Sequence, residues 1–188
     1  MRKLLSTFIF SFFGLNIIFA KEELNFDDPK VQDQIIATAA KELDRRKKAN
    51  GESLYYLPFS QAPYSGWYAG FYDYKEYKGQ LEILRSYKDG KKNGPSVRYE
   101  LTGEIDQHRI YKNNIKQTMD EFYLNGQKMA ESTYKEGKLW SVKCWKKDGE
   151  KCPVTNLKDG NGVRQRYYTD SGKALNVLTY KNGELVEE

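Results

Sequence analysis

The chain has 188 residues, of which 31 are Lys or Arg and 26 are Asp or Glu, and its mean hydropathy is −0.82. This mild positive charge does not by itself indicate a nucleic-acid-binding protein, and the low hydropathy argues against a thick aliphatic core. Fifteen tyrosines favour a thin, aromatic-rich β architecture, while one His and two Cys form no catalytic or metal-binding signature. We therefore expect a protein that is not an enzyme and has no cofactor or metal site.

Residues 1–20 are typical of a cleaved export signal. Arg2 and Lys3 form a short positive start, and a mostly apolar run follows. Ala20 then offers a small residue at the expected cleavage point, after which 29 basic and 26 acidic residues leave a net charge of +3. An uncleaved anchor helix is the alternative, although the run is short and polar for a membrane span. The pattern predicts a bacterial protein that is periplasmic or secreted.

Residues 21–53 are predicted to form an N-terminal segment with one amphipathic helix. Asp28-Pro29 is a typical cap and first helical residue, and the cations of Arg45–Lys48 would suit the last turn. Asn50-Gly51 would then end the helix. We expect this helix to shield the first hairpin; the alternative is that Arg45–Lys48 contacts anionic lipid or polysaccharide. The apolar stripe of the helix comprises Val31, Ile35, Ala39 and Leu43.

Residues 54–188 carry a repeat with a period of 23 residues, which decides the expected fold. Glycine permits positive φ at tight turns, and the runs between the glycines have the length of strands. We expect a mainly β protein, an antiparallel β-hairpin meander with two strands per repeat and one N-terminal capping helix. The turn glycines are Gly79, Gly90, Gly103, Gly126, Gly137, Gly149, Gly160, Gly172 and Gly183.

Aromatic residues recur in two series within the repeat. We expect residues at identical phase to stack along the sheet as a row that replaces a conventional core. The first series comprises Tyr99, Phe122, Trp145 and Tyr168, and the second comprises Tyr87, Tyr111, Tyr134 and Tyr180.

Cys144 and Cys152 flank the strong turn signal Asp148-Gly149. A three-residue loop would place Trp145 opposite Lys151. The two cysteines would then also oppose each other, within disulfide reach, and an oxidising compartment would permit the bond. A two-residue loop would offset the cysteines by one position. The sequence leaves both the disulfide and the free thiols open.

The repeat units resemble a known family. The unit at Ser86–Ile105 is SYKDGKKNGPSVRYELTGEI, and it is echoed at Thr133–Lys151 and Gly160–Leu175. These units resemble the YwqK-type antitoxin repeat, a variant of the membrane occupation and recognition nexus (MORN) repeat. The stretch LYYLPFSQAPYSGWY at Leu54–Tyr68 also resembles the entry strand that precedes such arrays. The resemblance covers residues 54–188 and implies an array of interaction modules.

Three functions follow as hypotheses. The first is an exported, non-catalytic scaffold that binds a protein or an envelope polysaccharide or lipid, and no nucleic acid, through its aromatic-rich sheet. The second, implied by the family, is an antitoxin or immunity protein that neutralises a toxin. The third is a carbohydrate-active cell-wall enzyme, for which Glu100, Glu104 and Asp106 could meet across a hairpin. We expect these carboxylates to be solvated and no deep cleft to exist, and we expect His108 to face solvent.

Overall fold

The computed structural model describes residues 24–186, so the predicted signal peptide, residues 1–20, lies outside the described residues. The described residues form one helix and twelve strands, and every strand pairing between them is antiparallel. The predicted fold class, a mainly β hairpin meander with one N-terminal helix, is confirmed. The elements are α1 (Pro29–Thr38), β1 (Asp44–Lys47), β2 (Ser53–Tyr56), β3 (Gly66–Phe71), β4 (Leu81–Lys88), β5 (Lys91–Tyr99), β6 (Ile105–Lys112), β7 (Ile115–Phe122), β8 (Lys128–Lys135), β9 (Lys138–Cys144), β10 (Gly162–Tyr167), β11 (Ala174–Lys181) and β12 (Glu184–Leu185).

The strands form three sheets. The largest contains β3 to β9 in chain order, so each strand pairs with its neighbours in sequence. The hairpin of β1 and β2 forms a second sheet. Its second strand includes residues on both sides of the predicted boundary between the N-terminal segment, residues 21–53, and the repeat array, residues 54–188. A third sheet contains β10, β11 and β12.

The two series of repeat turns lie at opposite ends of the strands. At one end, both central residues of each two-residue turn have positive φ, which defines a type I′ hairpin. At the other end, the loops contain a single glycine at positive φ, among them Gly103 and Gly126. All nine predicted turn glycines have positive φ. The type I′ turns are Asp89-Gly90, Asn113-Asn114, Glu136-Gly137, Asp159-Gly160 and Asn182-Gly183.

The helix begins as predicted but ends earlier. The Asp28 side chain accepts a hydrogen bond from the backbone N–H of Lys30 at 2.9 Å, and α1 ends at Thr38. The next residues pair with the edge strand β3: the Ala40 N–H donates to the Trp67 carbonyl at 2.7 Å. Because an edge strand offers unpaired backbone groups, this pairing replaces the predicted continuation of the helix.

The basic run Arg45–Lys48 is therefore not the last turn of a helix. Most of it lies in β1, which pairs with β2. The Asn50-Gly51 pair, predicted to end the helix, instead closes this hairpin, where the Lys48 N–H donates to the Glu52 carbonyl at 2.7 Å. The prediction that these cations stabilise the last turn of the helix through its dipole is therefore wrong.

The core consists of two separate clusters and not of an aromatic row. The first packs α1 against β3 to β5 and contains Phe26, Ile35, Trp67, Ala69, Leu84, Val97 and Tyr99. The second lies where β8 and β9 meet the segment that leads to β10, and it contains Ala130, Leu139, Val142, Cys144, Cys152 and Leu157.

The predicted stacking of repeat aromatics is wrong. Members of one series differ widely in burial: Tyr99 is 2% exposed, whereas Tyr168 is 50% exposed. Among the ring pairs of residues 24–186, none joins two members of either series. The reason is distance, because equivalent residues of successive hairpins are two strands or ~9.6 Å apart. Ring pairs need centroids within about 7 Å.

Candidate functional site

The two faces of the seven-stranded sheet differ in what covers them. Leu84 and Val97 are opposite each other on the face against which α1 packs, which we call the helix face. On the other face, the β1–β2 hairpin contacts the sheet through the Tyr55 and Tyr87 rings, with centroids 4.8 Å apart. The third sheet also contacts this face, because Arg164 of β10 forms an ion pair with Glu121 of β7. A stretch of sheet lies between these two contacts.

This stretch carries four cations, which together we call the basic face: Arg85, Lys92, Arg109 and Lys116. Strand register places them on one side. Arg85 is opposite Ser96, and Ser96 is opposite Arg109, so the two arginines flank a fully buried serine. Further along the same strands, Lys92 is opposite Tyr87 and Lys116 is opposite Tyr111. Each of the four side chains is half-buried.

The four cations form no ion pair with any carboxylate of residues 24–186. The nearby carboxylates are bound to other cations: Asp106 pairs with Arg98, and Glu121 pairs with Arg164. Against the larger effect of burial, Glu121 raises the pKa of Lys116 and Asp106 raises that of Arg109, but both act from a distance at which no ion pair forms. The basic face therefore carries four cations without a directly bound counter-ion in the described protein.

Tyrosines of the second aromatic series contact three of these cations. The Arg85 Nη1 donates to the Tyr87 hydroxyl at 3.3 Å, and its Nε donates to the Ser96 hydroxyl at 3.2 Å. The Lys92 Nζ lies 5.3 Å from the centroid of the Tyr111 ring, and the Lys116 Nζ lies 4.2 Å from that of the Tyr134 ring. Such contacts between a cation and a ring face are attractive. Lys92 thus lies between Tyr87 and Tyr111, and Lys116 lies between Tyr111 and Tyr134.

Burial and mutual repulsion act on the same groups. Burial lowers the pKa of Lys92, and the charges of Arg85 and Arg109 lower it further. The pKa of Lys116 is lowered by burial and then by Arg109. Burial also lowers the pKa of Arg109. An anion bound on this face would relieve the repulsion, because it favours the charged forms.

A cavity of about 240 Å³ adjoins the basic face beneath β10, and its walls include Glu100, Asp106 and Arg164. The expectation of solvated carboxylates is wrong for Asp106, which is only 4% exposed and accepts a hydrogen bond from Arg98. Glu104 is exposed as expected, and Glu100 is half-buried. Burial raises the pKa of Glu100, and the neighbouring Asp106 raises it further. The two carboxyl groups therefore meet across the β5–β6 hairpin as the sequence suggested.

His108 is not a solvent-facing residue. It lies opposite Val97 on the helix face, and its ring centroid is 5.4 Å from that of Phe26. This correction has a simple cause, since the segment before α1 folds over the strand that carries His108.

The two cysteines are free and buried, so the disulfide that the sequence left open is not formed in the structure. Their register is the one predicted for a three-residue loop: Trp145 is bridged to Lys151, and the Cys152 N–H donates to the Cys144 carbonyl at 2.8 Å. Burial alone would raise the pKa of Cys152, but hydrogen bonds, including one from the Tyr167 hydroxyl at 3.1 Å, lower it to about 7. Burial raises the pKa of Cys144 to about 11.

Sequence reasoning singled out the tyrosines of the second series but missed the cations between them. Arg85 and Arg109 are 24 positions apart, and so are Lys92 and Lys116. Gly90 and Asn114, which are equivalent turn positions of the repeat, are also 24 positions apart. The cations therefore occupy equivalent positions of two successive repeat units, and this could have been read from the sequence. What the sequence did not show was that these positions share one face.

Within residues 24–186, no helix is long and apolar enough to cross a membrane, and no cluster of His, Cys, Asp and Glu side chains could hold a metal ion. No protein-family model, curated protein or solved structure matches the chain.

Proposed function

We propose that this protein is an exported, non-catalytic repeat scaffold that binds a partner, either a protein or a component of the cell envelope, through its basic face. One observation carries the proposal: four half-buried cations share a face and have no carboxylate partner within residues 24–186. Like charges that share a face disfavour one another's charged forms, and the pKa values of Lys92 and Lys116 are lowered by burial and then by the neighbouring arginines. A partner with complementary charge would supply the missing counter-ions.

The repeat architecture supports the same role. Repeat proteins commonly bind through continuous surfaces built from equivalent positions of successive units, and the basic face has that construction. The 23-residue hairpin unit agrees with the resemblance to YwqK-type arrays, which we retain as the proposed family. An antitoxin or immunity protein would be one kind of protein-binding scaffold within this proposal.

Site-specific photo-crosslinking in the native host tests the proposal. A photoreactive phenylalanine analogue replaces Tyr111, which lies opposite Lys116 on the basic face, so that all four cations are kept. The control position is Lys143 on the helix face, where its side chain is 72% exposed. We expect a discrete adduct from position 111 that disappears when Arg109→Glu is added, and no such adduct from position 143. Equal adducts from both positions, or none from position 111, would contradict the proposal.

A glycan hydrolase is the second candidate, because Glu100 and Asp106 meet at the cavity and the pKa of Glu100 is raised. An acid with a raised pKa beside an ion-paired carboxylate is a known arrangement for such hydrolysis. The cavity of about 240 Å³ is, however, smaller than the roughly 300–1,000 Å³ of common ligand pockets. We therefore favour binding; cell-wall glycan turnover that Glu100→Gln abolishes would reverse this preference.

A further inference from the structure

We propose that the basic face binds an extended acidic polypeptide segment that presents a carboxylate at about every third residue. This inference rests on the proposed function and names the chemistry of the partner. It is carried by the number, the spacing and the accessibility of the four cations.

The first step is spacing. Arg85 lies on β4 and Arg109 on β6, with β5 between them, so their backbones are ~9.6 Å apart. Lys92 on β5 and Lys116 on β7 have the same separation. A polyproline II chain rises ~3.1 Å per residue with three residues per turn, so every third side chain projects on one side at ~9.3 Å intervals. An acidic segment running across the strands therefore matches the cations.

The second step concerns the kind of contact. Every strand that carries a basic-face cation is paired on both sides, so none of these strands has a free edge to which a peptide backbone could add. The partner must be recognised through side chains, and Arg forms paired hydrogen bonds with carboxylates. The pre-oriented Arg85, held by Ser96 and Tyr87, is suited to this contact.

The third step separates a peptide from other polyanions. A flat lipid surface would meet the β1–β2 hairpin and the third sheet first, since both pack on the same face as the cations. Sugar binding commonly uses an open aromatic ring, but the Tyr111 and Tyr134 rings are covered by Lys92 and Lys116. Of the three kinds of polyanion, a narrow extended chain recognised by its charge fits the basic face best, and this favours an acidic peptide over a lipid surface or a polysaccharide.

Fluorescence anisotropy with defined peptides tests the inference on the purified protein. The probes are labelled (Glu-Pro-Pro)₄ and a peptide of the same composition whose four glutamates are adjacent. We expect the spaced peptide to bind about tenfold more tightly, with an affinity that falls as salt is added. Arg109→Gln and Lys116→Gln should each weaken binding of the spaced peptide about fivefold to tenfold. The control Lys143→Gln should leave it unchanged.

The outcomes are distinguishable. Tighter binding of alginate or of phosphatidylglycerol vesicles than of the spaced peptide would overturn the inference, as would equal affinity for the two peptides. If the spaced peptide fails to bind while the crosslink from position 111 persists, the inference fails and the proposed function stands. If both fail, both are wrong. Circular dichroism and melting temperature verify that each variant is folded, and a defect in either Arg109→Gln or Lys116→Gln leaves the other variant as the test.

Discussion

Removing the carboxylate of Glu121 should be among the most damaging single changes in this protein. Glu121 of β7 and Arg164 of β10 form an ion pair whose side chains are only 12% and 10% exposed, and the pair joins the third sheet to the large one. Glu121→Ala leaves the guanidinium buried without its counter-ion, which costs about 3–5 kcal/mol. At ~2–4 °C per kcal/mol for a domain of this size, the melting temperature should fall by roughly 10 °C.

Urea unfolding of three variants measures this effect. The double variant Glu121→Leu/Arg164→Met removes both charges, so its stability should lie within about 1 kcal/mol of the wild type or above it. Lys143→Ala breaks an exposed ion pair with Glu131 and should cost less than about 0.5 kcal/mol. If Glu121→Ala costs under about 1 kcal/mol, water reaches the Arg164 guanidinium, and the packing of β10 on the sheet is not as described.

Three further predictions concern the turn glycines, the repeat aromatics and the two cysteines. Gly126 and Gly160 share a φ near 78°, but a Cβ at Gly160 would lie 2.7 Å from the Gly183 nitrogen, whereas Gly126 faces open space. Gly126→Ala should therefore lower the free energy of unfolding by about 1–2 kcal/mol, and Gly160→Ala should lower it clearly more. Equal losses of stability on urea unfolding would refute the close packing of adjacent type I′ turns. Tyr99→Ala should lower the free energy of unfolding by about 3–5 kcal/mol, and substitution of the exposed Tyr168 by Ala should lower it by less than about 1 kcal/mol. Similar melting temperatures of the two variants would instead support the stacked row of repeat aromatics. Incubation with glutathione disulfide should oxidise the two cysteines to an intramolecular disulfide, with loss of two hydrogens by intact mass and formation of reduced glutathione; stable glutathione adducts would show that the cysteines do not face each other.

Local chemistry was sufficient to predict the hairpins from the sequence. A tight turn needs residues that tolerate positive φ, so Asn-Gly and Asp-Gly pairs mark a turn without reference to the rest of the chain. They do not fix its type, because Gly126 has positive φ but Asn125 does not, whereas both residues of Glu136-Gly137 do. Asn114 has φ 70 at the position of the turn glycine, because asparagine also tolerates that region. The register of Cys144 against Cys152 could be narrowed to two alternatives for the same reason, since only seven residues lie between them and the length of one loop determines it.

The end of α1 was not predictable, because the competing interaction is distant in sequence. The residues that follow Thr38 continue the apolar stripe of a helix, yet Ala40 exchanges backbone hydrogen bonds with Trp67 and Ala69 of β3. A pattern of side chains shows which face of a helix is apolar. It does not show that an unpaired sheet edge is available to the backbone.

The sequence by itself determined the class of fold, the turn positions and the number of strands in each repeat, since these depend on residue types a few positions apart. Only the tertiary structure decided what each face of the sheet carries. The third sheet folds back so that Arg164 meets Glu121, 43 positions away, and this contact takes up a carboxylate next to the basic face. Charge compensation depends on which groups are near in space, so the unpartnered cations become visible only when the sheets are assembled.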